Sequence, residues 1–319
     1  MSLSRPRAVL AVRGTSATSA EAAIARAEVS LATTGAHDAA RIFLWPDSRF
    51  KSPSFGDTVS VSLGESGSES DVFAGTVTRV RSGADGVVIE ALSPTAALSD
   101  TWVSQTYRDQ TVADIVRDLA SSVDIDVIEG DLQLPSYAVD DRCSAWSHIV
   151  ALSALVGADV GANASGALRF VLPRTGTADA TFRYGTDILS WEGGVAPDRA
   201  ARRAAAHGAG SEAGADQWHW LLSQPSPLGS GDGPVEVVAA LKTRDAADKL
   251  AQAFTQAKQR AATSVELGVV GAPDLRPGDL VAIADAPSFD PGMLRVLAVT
   301  HRIDARAGFT TELRAEGAV

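Results

Sequence analysis

Apolar and polar residues alternate in short segments of the N-terminal part of the chain, as they do in strands with one buried face. These segments are 7–13, 40–46, 58–63, 72–80 and 87–92. Pro46 ends the second segment because proline cannot continue a strand ladder. Asp85-Gly86 is typical of a tight hairpin before the last segment. The pattern predicts an antiparallel β domain of about six strands, the size of a small barrel, over residues 1–98.

Segment 22–33 carries two patterns at once. Its alanines favour a helix, whereas the alternation of Ala27, Val29 and Leu31 favours a strand in its C-terminal half. Sequence alone leaves both interpretations open.

A helical period replaces the alternation beyond residue 99. Val112, Ile115, Val116 and Leu119 recur at the spacing of one helix face. Thr111 is suited to cap this helix, and with Asp114 it makes a weak capping-box match. Ser144 and Gly157 are suited to begin and end a second helix. With a strand at 166–172, these signals predict a small α+β domain over residues 99–182.

Strand patterns resume at Thr181 and continue to the C-terminus. Residues 183–319 are therefore predicted to form a second β domain, with a helix near 244–262 that Thr243 would cap. Residues 204–235 are rich in Gly, Ala, Ser and Pro and predict a flexible loop. The predicted fold is mainly β with an α+β insertion.

The second β domain repeats part of the first. Two segments align without a gap when the numbering is shifted by 222. The alignment places Gly56-Asp57 on Gly278-Asp279, Val59 on Val281, Val77-Thr78 on Val299-Thr300, Gly86 on Gly308, and Glu90 on Glu312. The matches fall on turns and on alternating strand positions, where a shared fold constrains the residue type. The repeat predicts two homologous small antiparallel barrels in one chain.

The repeated glycines and aspartates have a local role. Glycine adopts positive φ where a chain turns into a strand, and aspartate can bond the backbone of its own turn. We single out Gly56, Asp57, Gly86, Gly278, Asp279 and Gly308 as structural turn residues. Two barrels per chain also have a consequence for symmetry: three chains around an axis would present six similar barrels.

Several motifs, taken in order, resemble the phage late-control D protein and baseplate central hub family, which includes the N-terminal part of type VI secretion spike proteins. The resemblance covers most of the chain, although each motif alone is loose. The residues that carry it are 55–61, 73–77, 144–157, 166–170, 275–281, 294–301 and 308–313.

The resemblance implies two tube-like barrels, a homotrimer, and a role as the hub that joins a tail tube to a spike. The implied partners are the tail tube or tube-initiator protein, a spike on a separate polypeptide, and other baseplate proteins. The implied location is a virion tail baseplate or an injection particle assembled from protein made in the bacterial cytoplasm. No cofactor is implied.

Charge and composition narrow the function. The net charge is −11 and no basic patch is visible, which argues against stable binding to nucleic acid. Acidity could let cargo pass without sticking, or could simply aid solubility. No run of 18 apolar residues is present, so no membrane insertion is expected. The single cysteine, Cys143, excludes an internal disulfide and is interpreted as an ordinary small residue.

Candidate chemistry is sparse. His301, the counterpart of Arg79 in the repeat, has no visible nucleophile and is assigned a structural role. His148 is assigned to packing or surface, and no His, Asp and Glu spacing resembles a metal site. Segment 64–68 lacks the order of a serine-hydrolase elbow. We therefore expect no catalytic, cofactor or metal residues. The alternatives left open are a tail-associated peptidoglycan hydrolase and a carbohydrate- or receptor-binding module suggested by the six tryptophans.

Overall fold

The computed structural model describes residues 6–50, 52–196, 205–208, 235–238, 244–287 and 289–318. Most of the loop predicted near 204–235 lies outside these residues, as does Thr243. At its two ends the described residues form a short parallel pair of strands, β15 (Ala205–Gly208) and β16 (Val235–Val238).

The described chain is mainly β, as the sequence predicts. The strands of the first β region are β1 (Pro6–Val12), β2 (Thr15–Thr18), β3 (Ile24–Ala32), β4 (Ala39–Leu44), β5 (Thr58–Glu65), β6 (Ser68–Gly83) and β7 (Gly86–Leu92). A 3-10 helix (Pro94–Asp100) leads into β8 (Gln105–Thr111), α1 (Val112–Leu119), β9 (Ile125–Ile128), β10 (Gln133–Val139), α2 (Ala145–Val156), β11 (Asp159–Ala162) and β12 (Leu168–Val171). The remaining elements are β13 (Ala180–Arg183), β14 (Ile188–Val195), α3 (Arg244–Ala261), β17 (Thr263–Val270), β18 (Leu280–Ala284), β19 (Leu294–Asp304) and β20 (Gly308–Gly317).

The strands of both β regions belong to one 13-stranded sheet. Its order is β14-β17-β20-β19-β3-β4-β7-β6-β5-β1-β2, with β18 paired to the start of β19 and β13 paired to β18. Two buried clusters lie against this sheet, one in each β region. The sequence predicted two homologous small barrels; in the structure the strands of the two regions are hydrogen-bonded to each other between β3 and β19.

Segment 22–33 is a strand along most of its length. β3 pairs with β4 on one side and β19 on the other, and both Ala27 and Val29 are buried. Ladders on both edges satisfy the backbone, and this outweighs the modest helix preference of its alanines.

Local capping signals set both helices of the α+β region. The Thr111 hydroxyl accepts a hydrogen bond from the Asp114 backbone at 3.1 Å, so α1 begins as predicted. Ser144 accepts from the Ser147 backbone at 3.3 Å, and Gly157 ends α2 at φ 69°. The two helices pack with β9, β11 and β12 around a buried apolar core.

Helix α3 packs into the same apolar core as α1 and α2. Its Leu250 and Ala251 are buried among residues of the α+β region, with Phe254 packed beside them. The domain boundaries predicted from the sequence placed this helix in the second β domain. In the fold it is an insertion between β14 and β17 that reaches back to the α+β region.

We predict that Thr111→Ala destabilises the protein by about 1 kcal/mol, since it leaves a backbone N–H of α1 without its capping oxygen. Thr111→Ser keeps the hydroxyl and should unfold close to the parent. Urea unfolding measures both. Equal stability of the alanine and serine variants would show that the cap contributes nothing.

Candidate functional site: two equivalent modules and their junction

Five strands of each β region have the same arrangement. In the N-terminal module, β3 to β7 stand in the spatial order β3-β4-β7-β6-β5. In the C-terminal module, β14, β17, β18, β19 and β20 stand in the order β14-β17-β20-β19-β18. Numbered along the chain, both sets read 1-2-5-4-3, with antiparallel neighbours throughout.

Irregularities in the ladders also coincide. The first strand of each module has a bulge after its first paired residue, between Ile24 and Arg26 and between Ile188 and Ser190. The fourth strand has a bulge after Val77 in one module and after Val296 in the other. Bulges occupy defined places in a fold, so their agreement supports residue-by-residue equivalence.

The turns that begin the third strands share their hydrogen bonds. Gly56 and Gly278 have φ of 86° and 92°, and their N–H groups donate to Val77 and Val296 at 2.9 and 2.7 Å. Asp57 and Asp279 each accept a backbone N–H from three residues earlier at 2.7 Å. Each aspartate therefore closes its own turn while the glycine attaches that turn to the fourth strand.

The same bonds correct the gapless alignment. They match Val77 with Val296, three residues before the Val299 that a constant shift predicts. Register then matches Arg79 with Ala298, so Arg79 is not the counterpart of His301. The remaining turn glycines, Gly86 and Gly308, have φ of 130° and 74° and each begins the fifth strand.

A junction of antiparallel strands joins the two modules. β3 pairs with the second half of β19, from Ala32 opposite Ala298 to Arg26 opposite Asp304. Leu31 and Val299, which face each other, are both buried. The modules are thus continuous through their backbones as well as their side chains.

One face of this continuous sheet is polar. At the junction, Arg302 lies 3.3 Å from a Glu28 oxygen and 3.4 Å from a Glu312 oxygen. In the N-terminal module, Glu90 is shared by three arginines, the closest being Arg81 at 2.7 Å. The opposite face carries the apolar clusters. The polar face is therefore a charged surface that crosses from one module to the other.

An open depression of about 530 Å³ lies on the polar face of the C-terminal module. Its charged lining comprises Glu192, Glu266, Glu312 and Arg314. Acidic groups dominate here, whereas arginines dominate around Glu90. Charge on the polar face therefore changes sign between the two modules.

A buried charge network ties the α+β region to the C-terminal module. Arg295 on β19 contacts Asp159 on β11 and lies 2.6 Å from Glu316, which also accepts a bond from Arg260 of α3 at 3.0 Å. Burial raises the pKa of Asp159, although the Arg295 guanidinium acts in the opposite direction. Sequence reasoning missed this network. The signal was an arginine between two buried residues in Leu294-Arg295-Val296.

Asp38 lies buried in the loop after β3. It accepts the backbone N–H of Ala32 at 3.1 Å, which fixes the end of the junction strand. Burial raises the pKa of Asp38 to about 7, with the nearby Arg276 charge acting in the opposite direction.

His301, His37 and His148 each contact different groups. His301 is fully buried and shares a hydrogen bond with the Thr311 hydroxyl at 3.0 Å. Burial, aided by Arg276, lowers the pKa of His301 to about 3 and so keeps it neutral. The His37 ring packs at a tilt against Trp146 with ring centres 4.3 Å apart, and His148 contacts the Asp140 carbonyl at 3.2 Å. Cys143 is exposed.

The part of the chain described has neither a metal-ligating cluster nor a membrane-spanning helix. No group of three or more metal-ligating side chains occurs among these residues. None of the helices described there has the length and apolar character needed to span a bilayer.

Comparisons with solved structures identify the fold. A tail protein from Neisseria meningitidis matches with a TM-score of 0.73 and 15% identity over 98% of this chain and 96% of that one. A prophage MuSo2 tail protein from Shewanella oneidensis matches with a TM-score of 0.71 and 15% identity over 97% and 98%. The chain has the fold of phage tail proteins.

The fold extends to secretion machinery. An Escherichia coli component of the type VI secretion system, described as similar to the T4 bacteriophage tail proteins gp27 and gp5, matches with a TM-score of 0.61 and 13% identity. The match covers 96% of this chain and 76% of that one. No protein-family model matches the sequence, and no curated protein matches it significantly. The likeness to tail proteins therefore lies in structure.

We predict that Arg295→Met destabilises the protein by about 3–5 kcal/mol, because it leaves the buried Asp159 carboxylate without its cation. The double variant Arg295→Met with Asp159→Asn removes that stranded charge and should recover much of the loss. Chemical unfolding of both measures the coupling. Additive losses would contradict the proposed pairing.

Asp38→Asn should change how stability depends on pH. The folded pKa of Asp38, about 7, lies above the ordinary 3.8, so the folded chain retains a proton that the unfolded chain releases. This group's contribution is full below pH 4 and is lost as pH rises to 7. The parent's stability relative to Asp38→Asn should therefore fall across that window, by on the order of 4 kcal/mol.

Asp304→Asn is the control for this titration. Backbone N–H groups of Ala307 and Arg306 lower the pKa of Asp304, so its contribution is lost only as pH falls below 4. Its stability difference from the parent should be flat between pH 5 and 8. A flat difference for Asp38→Asn as well would refute the buried-carboxyl account.

Proposed function

We propose that this chain is the structural central hub of a tail baseplate, acting as a homotrimer of pseudo-sixfold symmetry. The hub would join a sixfold tail tube to a threefold spike in a phage tail or contractile injection system. The observation that carries the proposal is the equivalence of the two modules in strand order, bulges and turn hydrogen bonds.

The junction supplies a template for a ring. It shows that the first strand of one module can pair with the fourth strand of the other. Repeating this contact between chains places six equivalent modules around one axis when three chains assemble. Each module would then be a small tube-like barrel wall, with its polar face toward the channel.

In a trimer, the α+β region would have threefold and not sixfold symmetry. It occurs once per chain, between the two modules, and the buried Arg295 network holds it to the second one. Three copies would break the sixfold repetition at their end of the ring. This supports a hub that meets a sixfold tube at one end and a threefold spike at the other.

The polar face suits a channel that does not retain its contents. Arginines cluster around Glu90 in the N-terminal module, and carboxylates dominate the depression in the C-terminal module. Six modules would alternate these patches and leave the channel without a strong field of either sign. Acidic or protein cargo would then pass without lasting electrostatic contact.

Several solved structures that share this fold support a structural role in a particle. They are tail proteins and a type VI secretion component, and another match is to a Francisella PdpA-VgrG complex. The proposed location is the virion baseplate or injection particle. The proposed partners are a second and third copy of the chain, the tube or its initiator, the spike and neighbouring baseplate proteins.

The oligomeric state tests this proposal. Native mass spectrometry of the purified full chain should give a dominant species of three 33.0 kDa chains. It should persist at micromolar concentration, since obligate interfaces typically bury on the order of 2,000 Å² or more. A strict monomer, or a dimer, across the micromolar range would overturn the hub assignment.

A further inference from the structure

Within the two modules, two strand edges have no partner among the strands described. β14 pairs only with β17, and residues 79–83 of β6 pair only with β7. On β14, Leu189 and Val195 are 60% and 56% exposed. An unpaired edge with exposed apolar residues is a surface that proteins normally cover.

These two edges are the counterparts of the strands that form the junction. The shared bulges match β14 with β3 and the end of β6 with the second half of β19. Under this equivalence Val195 corresponds to Leu31, and Val80 corresponds to Val299. Leu31 and Val299 face each other at the junction and are buried, at 5% and 1% exposed.

The two open edges also have complementary charge. Glu192 on β14 lies opposite Glu266 of β17, and no described cation is within ion-pair distance of it. Like charges facing each other across a ladder are destabilising. On β6, Arg79 and Arg81 share the single carboxylate of Glu90 with Arg41. The open edge of β14 therefore has an excess of negative charge, and the open edge of β6 has an excess of positive charge.

We propose that β14 of one chain pairs antiparallel with residues 79–83 of β6 in a second copy, in the register of the β3–β19 junction. This inference rests on the proposed trimer and assigns its contact surface. The register sets Val195 opposite Val80 of the partner subunit on the apolar side. It sets Gly194 opposite Arg81 of the partner subunit on the polar side.

Charge then selects this pairing. Gly194 has no side chain, so the guanidinium opposite it has room to reach Glu192, two residues along on the same face. Glu192 corresponds to Glu28, which already takes a cation across the junction from Arg302 at 3.3 Å. In the intermolecular contact, Glu192 takes the place that Glu28 has at the junction. Its cation is Arg81 of the partner subunit, which lies two residues from the position equivalent to Arg302.

Disulfide cross-linking tests the register. In a Cys143→Ser background, the double variant Val195→Cys with Val80→Cys should oxidise to covalent dimers and closed trimers on a non-reducing gel. Six strands separate the two positions along the sheet within one chain, so the link reports contact between copies. The matched control is Val195→Cys with Arg81→Cys, whose side chains would lie on opposite faces of the sheet and should remain unlinked.

The results separate this inference from the proposed function. A trimer by native mass whose Val195 and Val80 cysteines do not cross-link would refute the junction while leaving the hub intact. A monomer without cross-links would refute both. Equal linkage of the control pair would also refute the register, since it would show that the edges meet without a fixed alignment.

A charge substitution tests the pairing of Glu192 with Arg81 of the partner subunit, in protein without the introduced cysteines. Glu192→Lys should raise the protein concentration below which the trimer dissociates. We expect a rise of roughly tenfold or more at low salt and a smaller one at high salt. Asp131→Lys makes the same charge change on a side chain of the α+β region that is 96% exposed. Equal effects of the two substitutions would contradict the proposed charge pairing.

Discussion

The antiparallel contact between β3 and β19 is the constraint on which the architecture depends. A strand edge must be paired or covered, and here the edge of one module is satisfied by the other. The contact makes one sheet of two modules, buries Leu31 against Val299, and fixes the polar face as a continuous surface. A contact of this kind can be repeated by further copies, because the modules at its two sides have the same strand order.

Buried polar groups add specificity around that contact. Asp38 holds the end of β3, and neutral His301 lies within the paired segment of β19. Arg295 links Asp159 to Glu316 and so orients the α+β region on the C-terminal module. Each group costs desolvation, and the hydrogen bonds and ion pairs that offset this cost form in one arrangement, which favours a single relative placement of the parts.

Much of the local structure could be predicted from the sequence. Thr111, Ser144 and Gly157 mark helix ends through short-range hydrogen bonds, and Gly56-Asp57 and Gly278-Asp279 mark turns. The pairing of β3 with β19 could not be predicted, since it joins residues far apart in sequence. The gapless alignment failed in the fourth strand, because the C-terminal module has three fewer residues between its Gly-Asp turn and the bulge of that strand, and a constant shift allows no such deletion.

The central claim is that the two modules of one chain are interchangeable units of a ring. The most direct measurement is an electron-microscopy reconstruction of the purified protein without imposed symmetry. We expect a closed threefold particle whose module layer repeats six times around the axis, with the α+β regions protruding three times at one end. A particle in which the two modules lie at different radii or heights, with no sixfold layer, would contradict the account.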